Sequence, residues 1–345
     1  MKNTKIITLA LIVLGFAAGG WFYVRNFQNF SSSQTSHSAC LQENEYADYP
    51  VDEKSNPQLK IPKEVPVIVS LRDRITNETK ISFNIDNIRE NYHPIELHKC
   101  GAYVIKLFNY NPKQTIQEVG YRAELYKYSY DGNDNGLLLF NEMGKNRIYK
   151  SYFSTDFRVD PTETYVALER KYLGDPEYAL VIKNLNTKED SFVFLYKDLL
   201  ARYPFFVGNL GMNQWAKDGR YFWGNVFDGA NVAGFFRVER DSWKVEVFQA
   251  PVGTMGGDAL NPERGYITYD NGVPWTGDAE LDRLNKVELQ KQGLTKFYLY
   301  NLFIKKDILI ATSTDPTHSF KPLWFSDTEL EYTAPTGERK IYIAQ

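Results

Sequence analysis

The residues whose types and spacing most resemble a reactive or binding site lie between positions 131 and 142. Asp131-Gly132-Asn133-Asp134-Asn135-Gly136, followed by Glu142, has the ligand spacing of the calcium loop of an EF-hand. Oxygen donors fall at the first, third and fifth positions, a glycine makes the turn and a carboxylate closes the ring. Calcium is a hard cation that gathers roughly six to eight oxygens, which is why the chemistry needs that pattern. The metal candidates are therefore Asp131, Asn133, Asn135 and Glu142. The flanks speak against helices: Leu125, Tyr126, Tyr128 and Tyr130 before the loop read as strand, as do residues 137–140 after it. A hairpin turn that uses Asp-Gly and Asn-Gly for positive φ explains the same residues without a metal. No cofactor is expected, with calcium as the one rival.

The two cysteines, Cys40 and Cys100, are the next candidates. In an oxidising compartment two thiols and no others point to one disulfide; the alternative is a buried thiol at 100 and an exposed one at 40. Neither has the electropositive neighbourhood of a reactive thiolate. His93 and His98 flank Pro94 with Glu96 between them. On a strand their odd separation puts them on opposite faces, so a shared metal is not expected. No Gly-x-Ser-x-Gly elbow and no phosphate-binding Gly-rich loop occurs, which removes support for common serine-hydrolase and nucleotide chemistry. Catalytic residues are not assigned. Trp275, in the turn-rich stretch Asn271-Gly272-Val273-Pro274-Trp275-Thr276-Gly277, is the one side chain singled out for binding.

The amino terminus places the rest. Residues 6–24 carry no charge and follow Lys2 and Lys5. At 1.5 Å per residue such a run just crosses a ~30 Å hydrocarbon core. Lysines before it and Trp21-Phe22-Tyr23 at its far end orient the chain outward. The expectation is a cytoplasmic tail over 1–5, a transmembrane signal-anchor helix over 6–24 and a single-pass protein whose bulk is extracytoplasmic. Cleavage after Ala17-Ala18-Gly19 stays open. Residues 25–64 read as a disordered stalk, because Ser31-Ser32-Ser33-Gln34-Thr35-Ser36 and the prolines at 50, 57 and 62 offer little to bury.

What must position any site is a strand-rich domain over 65–345. Of the 345 residues, 15% are aromatic, which favours strands. A net charge of -3 provides no footprint for nucleic acid. Paired runs joined by polar turns recur at 65–71 with 80–85, 124–130 with 137–140, 178–185 with 191–196, 234–239 with 243–248, and 296–303 with 307–312. Before most pairs stands a polar turn leading into an aromatic-rich strand: Asp160-Pro161-Thr162-Glu163-Thr164-Tyr165, Trp215-Ala216-Lys217-Asp218-Gly219-Arg220-Tyr221, Asn261-Pro262-Glu263-Arg264-Gly265-Tyr266, and Trp324-Phe325-Ser326-Asp327-Thr328-Glu329-Leu330. Lys99-Cys100-Gly101-Ala102-Tyr103 is a weaker copy. With Tyr103, Tyr165, Tyr221, Tyr266 and Leu330 as equivalents, the spacing fits a radial array of four-stranded units with inserted loops.

The Asp218-Gly219 turn between Trp215 and Tyr221-Phe222-Trp223 resembles the blade motif of TolB-like and WD-like β-propellers. The other copies keep the framework without that glycine. The resemblance covers residues 90 to 345 and implies an all-β propeller of five or six four-stranded blades. Closure is expected through the 65–85 hairpin, because a closed ring leaves no bare edge. Residues 271–295 form an insertion whose helix starts at Asp278, stops at Gly293 and carries Leu281, Leu284 and Val287 on one side; it either caps a sheet edge or, with Trp275, binds. The expected role is binding or scaffolding for a protein or cell-envelope ligand, with the membrane as second partner. A metal-dependent, lactonase-like propeller hydrolase is the alternative, since one fold hosts both.

Overall fold

The computed structural model describes residues 40–48, 64–89, 95–108, 122–131, 136–142, 151–172, 178–203, 210–228, 231–251, 253, 255, 259–272, 279–315 and 318–344. The apolar segment 6–24, most of the stalk, His93, Asn133, Asn135, Trp275 and Asp278 lie outside these residues. Among the described residues no helix is long and apolar enough to cross a membrane.

Alternating apolar and polar residues make the chain a series of antiparallel meanders, arranged in six sheets that follow one another in sequence. The first holds β1 (Glu45–Asp48), β2 (Glu64–Asp73) and β3 (Thr79–Arg89), and the second β4 (Ile95–His98), β5 (Gly101–Phe108), β6 (Arg122–Tyr128) and β7 (Leu137–Glu142). The third comprises β8 (Ser151–Val159), β9 (Tyr165–Tyr172), β10 (Tyr178–Asn184) and β11 (Asp190–Leu195), followed by the short helix α1 (Tyr196–Arg202). The fourth is β12 (Leu210–Trp215), β13 (Tyr221–Asp228), β14 (Asn231–Glu239) and β15 (Val245–Gln249). The fifth contains β16 (Leu260–Asn261), β17 (Tyr266–Asp270), the helix α2 (Ala279–Gln292), β18 (Thr295–Asn301) and β19 (Lys306–Ser313). The sixth has β20 (Leu323–Trp324), β21 (Glu329–Thr333) and β22 (Arg339–Ile343). The equivalent positions Tyr103, Tyr165, Tyr221, Tyr266 and Leu330 all fall in the second strand of successive sheets.

The core lies between consecutive sheets. Val69, Leu71, Phe83 and Ile85 of the first sheet pack on Ile95, Ala102, Val104 and Tyr128 of the second. Phe140 and Leu125 meet Phe157 and Leu168 of the third, and Phe194 meets Phe236 of the fourth. Trp223 packs with Ile267 of the fifth, and Phe297 packs at a tilt against Tyr332 of the sixth. Full burial of each such side chain contributes ~1.5–3 kcal/mol. Among the described residues no core cluster joins the sixth sheet to the first.

The recurring polar turn has a common mechanism. A short polar side chain at its start takes the amides that follow: Asp160 from Thr164 and Tyr165 at 2.7 and 2.6 Å, Asp218 from Arg220 at 2.8 Å, Asn261 from Glu263 at 3.1 Å, and Ser326 from Glu329 at 3.0 Å. Gly219 then adopts φ 67° at no steric cost. Glu163 stands at the equivalent place with φ 56°.

Three expectations need correction. The 65–85 hairpin does not complete the last sheet: β2 and β3 pair with β1, while β20 to β22 form a sheet of their own. The leading segment, pinned by a disulfide, supplies β1 to the β2 edge, and the hairpin buries its apolar face on the second sheet. Residues 40–48, assigned to the stalk, are ordered. Cys40 is disulfide-bonded to Cys100, the Leu41 amide donates to the Lys99 carbonyl at 2.8 Å, and Glu45 is buried against Lys80 at 3.1 Å. A covalent tether and a long-range ion pair supply what local composition lacks. Finally, Leu281, Leu284 and Val287 of α2 stay 46%, 48% and 37% exposed, so they cap no sheet edge among the described residues; Gly293 does end the helix, at φ 69°.

Candidate functional site

The first strand of a meander has one edge without a ladder partner, and its backbone groups must be satisfied some other way. In this protein the first strands of five consecutive sheets turn that edge toward a shared cavity of about 570 Å³. β4 contributes Glu96 and His98, β8 Arg158 and Val159, β12 the run from Met212 to Trp215, β16 Leu260, and β20 Leu323 and Trp324. Asn225 reaches it from β13, and Pro161 from the turn after β8.

Side chains from one first strand satisfy the backbone of the next. The Val159 amide donates to Glu96 Oε2 at 2.7 Å, tying β8 to β4. Arg158 Nε donates to the Asn213 carbonyl at 2.7 Å, and Trp215 Nε1 returns a bond to the Arg158 carbonyl at 3.0 Å. Gln214 Nε2 reaches the Leu260 carbonyl at 3.5 Å, and Trp324 Nε1 donates to the Ala259 carbonyl at 3.3 Å. This girdle holds the cavity wall in shape before any ligand arrives.

The wall is nearly neutral. Glu96 is matched by Arg158 Nη1 at 3.6 Å and by the Val159 amide, and His98 Nε2 lies 3.3 Å from Glu96 Oε2. Asn213, Gln214 and Asn225 supply uncharged donors and acceptors, with Asn213 Nδ2 donating to Asn225 Oδ1 at 2.9 Å. Val159, Pro161, Met212, Leu260 and Leu323 provide the apolar remainder.

The polar turns beside Pro161 also link neighbouring sheets. Glu163 accepts from the Cys100 amide at 2.8 Å, the Tyr103 hydroxyl at 2.7 Å and Lys127 Nζ at 2.6 Å. Burial pushes the Glu163 carboxyl up, but Lys127, Tyr103 and the Cys100 amide outweigh it and hold it below the usual carboxylate range. Burial and the neighbouring carboxylate push the Tyr103 phenol well above its ordinary value. Glu263 accepts from the Lys217 amide, yet burial first, then Asp327 and Asp218, raise its carboxyl. Arg240 reaches the fully buried Asp160 at 3.4 Å.

Of the residues singled out in the sequence, Cys40 and Cys100 are joined, and the bond anchors β1 to the turn that follows His98. Asp131 is exposed at the tip of the β6–β7 hairpin, and Glu142 ends β7. Asn133, Asn135 and Trp275 lie outside the described residues. Among the described residues no group of three or more His, Cys, Asp or Glu side chains could hold a metal. Sequence reading weighed His98 and Glu96 only for a metal shared with His93; Arg158 and the amides of β12 and β13 are lining it did not single out. A signal was present: they sit just before the recurring turns or two apart on one short strand, where alternation puts Glu96 and His98 on one face.

No family model matches the chain, and neither does any curated protein. Solved structures do resemble it. The chain is similar to TolB from Acinetobacter baumannii at 10% identity and TM-score 0.37, over 81% of this chain and 60% of that one. It is similar to an oligogalacturonate lyase in complex with manganese at 10% identity and TM-score 0.44, over 81% and 73%. It also matches the β-propeller domain of the Trilobed protease from Pyrococcus furiosus at 11% identity and TM-score 0.40, over 87% and 78%. The chain spans about three fifths of the TolB length.

Proposed function

We propose that this is a membrane-anchored, single-pass protein whose extracytoplasmic propeller-like domain binds a protein or cell-envelope ligand in the cavity between its first strands. One observation carries the binding reading: a pre-shaped, nearly neutral wall in which amide side chains alternate with apolar ones and the charged groups already match each other. Such a wall suits a ligand that presents uncharged amide or hydroxyl groups, because each can be paired without stranding a charge. The anchor rests on the uncharged run at 6–24 behind two lysines. Trp275 remains a second contact candidate on the insertion before α2. A metal-dependent, lactonase-like hydrolase is the second reading, favoured by His98 beside Glu96. The engagement of Glu96 by the Val159 amide and Arg158 counts against it, since those contacts tie the carboxylate to the wall as a structural acceptor.

The test is affinity capture with the full chain from solubilised membranes, quantified by mass spectrometry. Leu323→Trp, at a wall position 39% exposed, should fill the cavity and abolish capture of specific partners. Leu294→Trp, at an exposed position away from the wall, should leave capture intact. Equal capture by all three proteins would remove the cavity from consideration, and Trp275→Ala in the same assay tests the insertion.

A further inference from the structure

Among the described residues the sixth sheet has three strands where the four sheets before it have four, and no described strand pairs with the outer side of its third. Third strands elsewhere lie beneath a fourth: Phe235 and Phe236 in β14 and Phe297 and Leu299 in β18 are buried. In β22, by contrast, Ile341 and Ile343 are 62% and 54% exposed.

The register shows which backbone groups are left over. The Ala344 amide donates to the Thr328 carbonyl and the Ala334 amide to the Glu338 carbonyl, both at 2.8 Å. Between them Tyr342 faces Leu330 and Lys340 faces Tyr332. Antiparallel pairing alternates, so Lys340 and Tyr342 bond inward to β21, while Arg339, Ile341 and Ile343 direct their N–H and C=O groups outward.

We propose that β22 pairs antiparallel with β22 of a second copy of this chain, about a two-fold axis at Ile341. The outward-directed residues are symmetric about that position, so Ile341 meets its own copy and each Arg339 meets an Ile343. Every outward N–H and C=O of the three then has a partner. Lys340 falls opposite Tyr342, which places a cation against an aromatic ring. No like charges face each other, because Arg339 keeps its ion pair with Glu331 in the same chain. A self-complementary edge of this kind makes an isologous contact, which closes at two copies and does not propagate.

The test uses the full chain in detergent micelles, with sedimentation equilibrium to read the oligomeric state. The two native cysteines are bonded to each other, so Ile341→Cys introduces the one free thiol. Oxidation should convert that variant to a covalent dimer, while Ile308→Cys, exposed on β19, should stay uncrosslinked. Ile341→Lys puts two ammonium groups face to face and should weaken dimerisation about tenfold or more, ~1.4 kcal/mol, with an unchanged circular dichroism spectrum. A monomeric wild type, or a dimer that oxidation of the Ile341→Cys variant fails to link, overturns the proposal.

Discussion

Glu163 holds a left-handed backbone conformation that Gly219 adopts freely one sheet later. Such a position costs a non-glycine residue ~1 kcal/mol or more. It is kept because the carboxylate gathers three donors from the neighbouring sheet, one of them charged. Glu163→Gln should lower unfolding free energy by ~1–3 kcal/mol in urea titrations at neutral pH, the usual range for a bond to a charged group. The pH dependence follows from the direction of the shift. A carboxyl held lower in the folded than in the unfolded chain stabilises fully above the ordinary carboxylate range, and that contribution is lost as pH falls through the folded value. The wild type should therefore lose stability more steeply than the Gln variant below pH ~4.5. Glu263 has the opposite sign. Its raised carboxyl favours the folded state at low pH, and the benefit disappears as pH rises through the folded value. Glu263→Gln should be neutral or slightly stabilising at pH 7, with an effect that shrinks in salt because the site is part-exposed.

At the scale of elements, β1 is the strand whose place depends most on a distant bond. It is four residues long and pairs with one end of β2. Cys40 and Cys100 are 60 residues apart in sequence, and closing such a loop stabilises by ~4 kcal/mol in the chain-entropy account. Cys40→Ser should lower the melting temperature and release residues 40–48 to fast amide exchange, with β9 and β13 unchanged. Protection of 40–48 equal to that of the wild type would show that Glu45–Lys80 and the apolar contacts of Leu41 and Ala47 suffice alone. The same anchoring ties the turn after His98 to the chain's leading segment, so the cavity wall at β4 should loosen in the same variant.

For the molecule as a whole, each sheet is held by its neighbours in sequence, and among the described residues no core cluster links the last to the first. An array stabilised by adjacent interfaces opens from its ends. Native-state hydrogen exchange should show β21 and β22 opening at lower free energy than β9, β10, β13 and β14, whose sheets pack on both faces. Uniform protection across all six sheets would mean that another contact closes the ring.

How much of this was legible follows from the range of each interaction. The strand pairs and the recurring second-strand position were readable because alternation and polar turns act between residues a few positions apart. The polar turns could be found for the same reason: Asp160, Asp218, Asn261 and Ser326 each bond amides within five residues. The cavity was not readable, since Glu96 and Arg158 have no local pattern that announces a partner some sixty positions away. The fate of the 65–85 hairpin was likewise undecided by its own alternation, which fits either neighbour equally well. Local periodicity set the strands, turns and their repetition; which sheets share a core, where the leading segment is pinned and what meets at the centre were decided by packing and charge between residues far apart in the chain.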